Sequence, residues 1–317
     1  MSDDITEAEI IGYMDALSNW GRWGADDQLG TLNFLTDEAR RSAAALIVEG
    51  TSISCAWPLQ SQIGQTAGDV QRLMLETGEG LSDPSRMPLA FVGSEWLSRT
   101  DLRARWAIEY VGYEFHGLTV THLDAPCHYF WDGQMYNGAS ATLVSSAFGS
   151  QHCAVTVARH GIAGKGVLFD LDGLGRGAVP DDLERFEVEH GVRAEPGDIV
   201  LLRTGASRER HETGQVPLPF PGGWHPSVLP WLHARQVAAI GADVAQEAYT
   251  DPGYGHMSAP IHIVGLVAMG LWLIDNVDLE GVARRCSELG RYSFHLALHP
   301  LPIQGATGSA VNPIATF

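Results

Sequence analysis

His116–Gly138 reads HGLTVTHLDAPCHYFWDGQMYNG, and it holds His122, Asp124 and His128 within seven residues. If the chain is extended at 122–124, His122 and Asp124 project from one face, about 7 Å apart at Cα. That separation suits two ligands on one ion. Pro126 has no N–H to give a central ladder, so the chain is expected to turn there and swing His128 back. Imidazole with carboxylate suits a divalent Zn, Mn or Fe ion. The plain alternative is a set of hydrogen-bonded histidines at a strand end, and a lone histidine would favour it. Two histidines and an aspartate around a proline favour the metal site.

Outward from this stretch, the composition is that of an ordinary globular protein. Apolar residues make up 45% of the 317 and charged residues 18%, enough to bury a core without staples. The 38 acidic side chains outnumber the 20 basic ones, giving a formal net charge of −18. This argues against a generic partner of nucleic acid or of an anionic membrane, each of which needs a basic footprint. The start, MSDDITEAEI, lacks the basic and apolar regions of a secretory signal. The longest apolar run, Ile261–Ile274, is too short for a membrane span and reads as a buried helix or strand. The four cysteines are widely spaced, so reduced thiols and a cytoplasmic location are expected.

β and α patterns intermingle along the chain. Helices are expected over Ile5–Leu17, over Ala39–Gly50 after a Thr36 cap, over Asp181–His190 and over His225–Ala234. Strands are expected over Thr51–Trp57, His152–Val157, Gly166–Leu171, Asp198–Arg203, Ala238–Ala242 and Ser293–Leu298. Gln60–Pro88 reads as a long loop excursion. With no repeat and no linker-like tract, the chain reads as one α/β domain, 1–317. It is expected to hold a mixed sheet with surrounding helices and a helical and loop extension over about 1–50. Gly161–Gly166 has the wrong spacing for a phosphate loop, and neither G-x-S-x-G nor H-E-x-x-H occurs. Cys127, inside the motif, reads as structural.

Thr121–His128, THLDAPCH, resembles the signature T-H-x-D-x-P-x-H of the cyclase family of metal-dependent hydrolases, which includes bacterial kynurenine formamidase and isatin hydrolase. NWGRWGADDQLGTLN (Asn19–Asn33), GDIVLLRTG (Gly197–Gly205) and GATGSAVNPIA (Gly305–Ala315) look like its longer branch. The resemblance implies a swivelling β/β/α fold, a homodimer or homotetramer, and a small-molecule substrate. It also implies one or two divalent ions, Mn or Zn, with His122 and Asp124 as ligands and His128 as the general base.

The chain departs from the family at two places. The family's first histidine lies four positions before its second, and here Leu118 stands there, with Val120 replacing the motif glycine. His116 lies six positions before His122, about 20 Å away in extended chain, and could join only through a fold-back or bulge at Gly117. Farther on, His262 resembles the family's distal histidine, and Asp275 stands where a glutamate usually follows. His256 is a weaker candidate. Phe115, Tyr129, Phe130 and Trp131 could wall an apolar pocket, and Trp224 could belong to a lid, although core packing is the plainer role for each.

The resulting expectation is a metal-dependent hydrolase that cleaves an amide, lactam, ester or lactone of a small cyclic or aromatic substrate. The rivals are a non-hydrolytic metal-dependent cyclase or lyase, and a binding protein whose metal site has decayed.

Overall fold

The computed structural model describes residues 5–59, 70–76, 107–248 and 253–317. The chain divides into two compact units, Met1–Trp57 with Phe115–Phe317, and Pro58–Glu114. In the smaller unit, Gln71–Glu76 pairs antiparallel with Ile108–Gly112. The rest of the expected 60–88 excursion lies outside the described residues.

The larger unit is an α/β structure built on one nine-stranded mixed sheet. Its strands are β1 (Ser52–Ser54), β2 (His122–Asp124), β3 (Ile162–Asp170), β4 (Ile199–Arg203) and β5 (Ala239–Ala242). They continue with β6 (Trp272–Asp275), β7 (Ser293–Leu298), β8 (Gly308–Ala310) and β9 (Ile314–Thr316). The spatial order is β1-β9-β7-β3-β4-β5-β6-β2-β8. β3, β4, β5 and β6 run parallel, and β2 lies antiparallel between β6 and β8. The parallel strands are near-continuous apolar runs because both sheet faces are covered. Val167, Phe169, Val200, Leu202 and Ile240 enter one core with Leu183, Phe186, Leu232 and Leu266. Leu168, Ile199, Leu201, Trp272 and Ile274 enter the other with Val282 and Cys286.

The helices of this unit begin with α1 (Glu7–Ala16), α2 (Asp37–Ala44), α3 (Pro180–His190) and α4 (Ala206–Thr213). They continue with α5 (Leu229–Arg235), α6 (Pro260–His262) and α7 (Glu280–Leu289). Thr6 and Glu9 form a reciprocal capping box at α1, and Thr36 caps α2 through the Ala39 N–H. At α3 Asp182 accepts the Val179 N–H at the helix start.

Ile261–Ile274 holds both a helix and a strand. α6 continues as a π-helix over Ile263–Met269, Gly270 ends it in the left-handed region, and β6 follows. The Asn19–Asn33 loop closes this helix end. Trp20 Nε1–H, the Asn19 N–H and Asn19 Nδ2–H bond the carbonyls of Val267, Ala268 and Met269, which a helix terminus leaves unpaired. Gly30 is needed there, because a Cβ would strike the Gly270 carbonyl that accepts the Thr31 N–H. One expected strand is absent: His152–Val157 is loop leading into a 3₁₀ turn over Val155–Ala158, whose Val155 and Ala158 fill the second core. Short apolar runs do not by themselves separate strand from turn.

Candidate metal centre

β2 and β6 create the site by register. Asp275 pairs with His122, and Leu273 pairs with Asp124. Side chains alternate along each strand, so His122, Asp124 and Asp275 share a face while Leu123 and Ile274 enter the opposite core. Pro126 lies in a turn closed by the His128 N–H on the Ala125 carbonyl at 2.9 Å, which returns His128 toward Asp124. His262 is delivered from α6, on the neighbouring crossover.

Asp124 lies at the centre and is fully buried. Around Oδ1 stand His116 Nδ1 at 2.8 Å and His122 Nε2 at 3.5 Å. Around Oδ2 stand His262 Nε2 at 3.4 Å and His128 Nε2 at 3.8 Å. Asp275 Oδ2 lies 3.5 Å from His262 Nε2 and 3.8 Å from His122 Nε2. Two sets of donors within 4.8 Å of one another result, His116–His122–Asp124 and Asp124–His262–Asp275, with Asp124 common to both.

The donors fit a cation. Neither Asp124 oxygen makes a directed hydrogen bond, and His116 Nδ1 also lacks one despite its short approach to Oδ1. A buried carboxylate with both oxygens unpartnered is costly unless a positive charge joins it. Each imidazole of the two donor sets is held from behind. His122 Nδ1–H donates to the Val120 carbonyl at 2.9 Å, and His262 Nδ1 lies 2.8 Å from both Glu247 oxygens. His116 Nε2 lies 2.8 Å from Thr307 Oγ1. Partners of this kind set which ring nitrogen offers its lone pair.

The charges agree with the geometry. Burial alone would raise the Asp124 carboxyl, but the imidazoles of His128 and His122 hold it well below the usual carboxylate range. Burial would lower His262, yet the Glu247 carboxylate, with Asp124 and Asp275, holds it well above the ordinary histidine value. Burial pushes His128 down to about 4, against the pull of Asp124. The Cys127 thiol is pushed up to about 11 by burial, so it stays protonated and is no nucleophile at neutral pH.

His116 enters through a fold-back of residues 116–120. Gly117 is not what permits it: its φ is ordinary and a Cβ there would meet nothing within 4 Å. Asn276 pins the loop instead. Its Nδ2 donates to the carbonyls of Gly117 (2.7 Å) and Val120 (3.1 Å), and its own carbonyl accepts the Thr121 hydroxyl (2.7 Å). Asn276 is buried and left-handed at φ +55°, a conformation asparagine tolerates better than most residues. Leu118, at the family's ligand position, packs against the first core. Asn276→Ala should therefore cost about 1–3 kcal/mol by taking the side-chain donor from the Gly117 carbonyl and one of the two donors from the Val120 carbonyl. Gly117→Ala should change stability by less than about 0.5 kcal/mol. Urea unfolding of the two variants checks both.

His116 and His128 stack face to face, 3.7 Å apart and 2° from parallel. Their side chains are 22% and 23% exposed, whereas those of His122, Asp124, His262 and Asp275 are at most 7%. The stacked pair is the accessible rim of the cluster. Phe115 lies beside His116, and Tyr129 lies between His128 and His262, with ring centroids 4.9 and 5.0 Å away. Trp131 packs on the first core and Phe130 is exposed. Trp224 is a fully buried core residue whose backbone pairs with Glu247, so it is not part of a surface lid. His256 is exposed and joins α1 through Glu7 rather than the cluster. Glu247, Asn276 and Thr307 escaped the sequence reading because no local spacing marks them.

The family model described as "Putative cyclase" matches residues 57–247, well over half of the chain. Among solved structures, one titled a novel cyclase is 28% identical with a TM-score of 0.81, over 96% of this chain and 99% of that one. Isatin hydrolase A from Labrenzia aggregata, bound to benzyl benzoate, is 16% identical with a TM-score of 0.56, over 84% of this chain and 93% of that one. An isatin hydrolase bound to the product analogue thioisatinate is 16% identical with a TM-score of 0.58, over 88% and 98%. The two isatin hydrolases share the fold. A comparison with curated proteins finds no match. No helix among the described residues is long and apolar enough to cross a membrane. With THLDAPCH on β2 and the turn after it, and a family match spanning that motif, the chain belongs to the cyclase family.

Proposed function

We infer that the protein is a metal-dependent hydrolase that opens an amide, lactam, ester or lactone of a small cyclic or aromatic substrate. The observation that carries this reading is Asp124, a buried carboxylate with two unpartnered oxygens ringed by imidazole nitrogens. His116, His122 and Asp124 would hold one divalent cation, and Asp124, His262 and Asp275 a second, either Mn or Zn. Such a cation supplies Lewis acidity and acidifies water. Two features support a working site over a decayed one. His116 Nδ1 reaches Asp124 although Leu118 stands at the signature's histidine position, and Asp275 Oδ2 reaches two imidazoles despite its shorter side chain.

His128 does the proton work. Burial keeps its ring neutral at pH 7, so it can accept the proton of the water that attacks the carbonyl carbon. It then returns that proton to the departing nitrogen or oxygen as the C–N or C–O bond breaks. Stacking on His116 orients the ring, and Tyr129 stands against its edge. Phe115 and Tyr129 offer flat apolar walls to a planar substrate.

The test is a panel of lactams, N-acyl anilines and lactones with Mn- or Zn-loaded protein in ¹⁸O-labelled water. One labelled oxygen in the product carboxylate is expected. A product without label would move the reading to a cyclase or lyase. Because burial holds His128 below the ordinary histidine value, the acid limb of kcat/KM should lie below the ordinary histidine range. A limb near 6.5 would remove His128 as the base.

A further inference from the structure

The chain bends sharply at Gln246. Its φ is +56°, and the Glu247 N–H bonds back to the Ala245 carbonyl at 2.7 Å, a γ-turn of the rarer, strained form. In extended chain, residues 246 and 247 would point to opposite faces. Here both side chains reach ligands of the same set.

Gln246 Nε2–H donates to Asp275 Oδ1 at 2.6 Å and to the Ile274 carbonyl at 2.9 Å. Both neighbours are acceptors, so the amide must present its NH₂ group there. With Oδ1 engaged, Asp275 turns Oδ2 to His262 and His122. Glu247 accepts the His262 N–H at 3.0 Å and faces Nδ1 with both oxygens. The Nδ1 proton is thereby held, which leaves Nε2, beside Asp124 and Asp275, as the nitrogen that would meet a cation.

The turn is fastened behind. The Trp224 N–H bonds the Gln246 carbonyl at 2.7 Å, and the Ala248 N–H bonds the Trp224 carbonyl at 3.2 Å. Gly223 lets the strands close, since a Cβ there would strike the Glu247 backbone. Strained backbone persists where its surroundings over-determine it, often at functional sites.

We propose that the Ala245–Glu247 turn positions the Asp124–His262–Asp275 set, with Gln246 orienting Asp275 and Glu247 orienting His262 so that the two share one cation. This rests on the metal-site part of the hydrolase reading. Neither side chain is placed to touch a substrate, so both are positioning residues.

The experiment is calorimetric titration of chelator-stripped full-length protein with Mn²⁺ and Zn²⁺, alongside urea unfolding. The variants are Glu247→Ala, Glu247→Gln, Gln246→Ala, His262→Ala and the double variant Glu247→Ala/His262→Ala. Glu247→Ala should weaken one cation-binding step ten- to a hundredfold. Gln246→Ala should weaken the same step, and Glu247→Gln should fall between alanine and wild type. In the His262→Ala background, Glu247→Ala should change affinity less than twofold, because the residue it orients is gone. A merely structural Glu247 would alter unfolding in both backgrounds and leave affinity alone. If Glu247→Ala does not fold, Glu247→Gln and Gln246→Ala carry the test. Wild type that binds cations, with variants that bind them equally well, overturns this proposal alone. Wild type that binds neither cation overturns the hydrolase reading and this proposal together.

Discussion

Asp124→Ala is expected to abolish cation binding and to reduce turnover to background. Asp124 is the member common to both donor sets, so its loss leaves each with two ligands and removes the negative charge between four imidazoles. The variant should nonetheless fold. Neither carboxylate oxygen makes a directed hydrogen bond, so no buried donor is orphaned when the carboxylate goes. The measurement is thermal unfolding with chelator and with excess Mn or Zn. Wild type should gain about 2.7 kcal/mol at a cation concentration a hundred times Kd, and the variant nothing. In chelator the two should melt within a few degrees of one another. A cation-dependent rise in the variant would show that Asp124 is not the shared ligand.

His128→Ala is expected to retain cation binding and to lose turnover, by about a hundred- to ten-thousandfold in kcat. Its Nε2 stands 3.8 Å from Asp124, farther than any other imidazole around that carboxylate, and it belongs to neither donor set. Its side chain is more open to water than those of the buried ligands. Metal content should therefore match wild type while kcat falls. The fall should be steepest for substrates with a poor leaving group, whose departure needs the returned proton. Lower metal content in the variant would make His128 a ligand and leave the base unassigned.

Much of this site is legible in local sequence. His122 and Asp124 share a face because strand side chains alternate, and Pro126 forces the turn that returns His128. Three of the four parallel strands, β3, β4 and β5, are legible as apolar runs, although β3 begins earlier than its pattern suggests, and β6 lies in a run that reads as either a buried helix or a strand. The caps at Thr6 and Thr36 follow from short-range chemistry. His152–Val157 was misread because a short apolar run has no period long enough to choose between strand and turn.

The chain's own order of residues thus determined the shared face of His122 and Asp124, the turn and the family signature, since each depends on neighbours within a few positions. Only the tertiary structure decided that Asp275 stands opposite His122, a matter of strand register between residues 153 positions apart. It alone decided that His116 returns to the site, because the anchor is Asn276, held left-handed just past β6, the strand paired with β2. It also decided that Gln246 and Glu247 grip Asp275 and His262, because a left-handed γ-turn suspends the alternation that an extended chain would impose. Local physics sets which way a side chain leaves the backbone. Which distant side chain it meets depends on how the sheet and its crossovers pack.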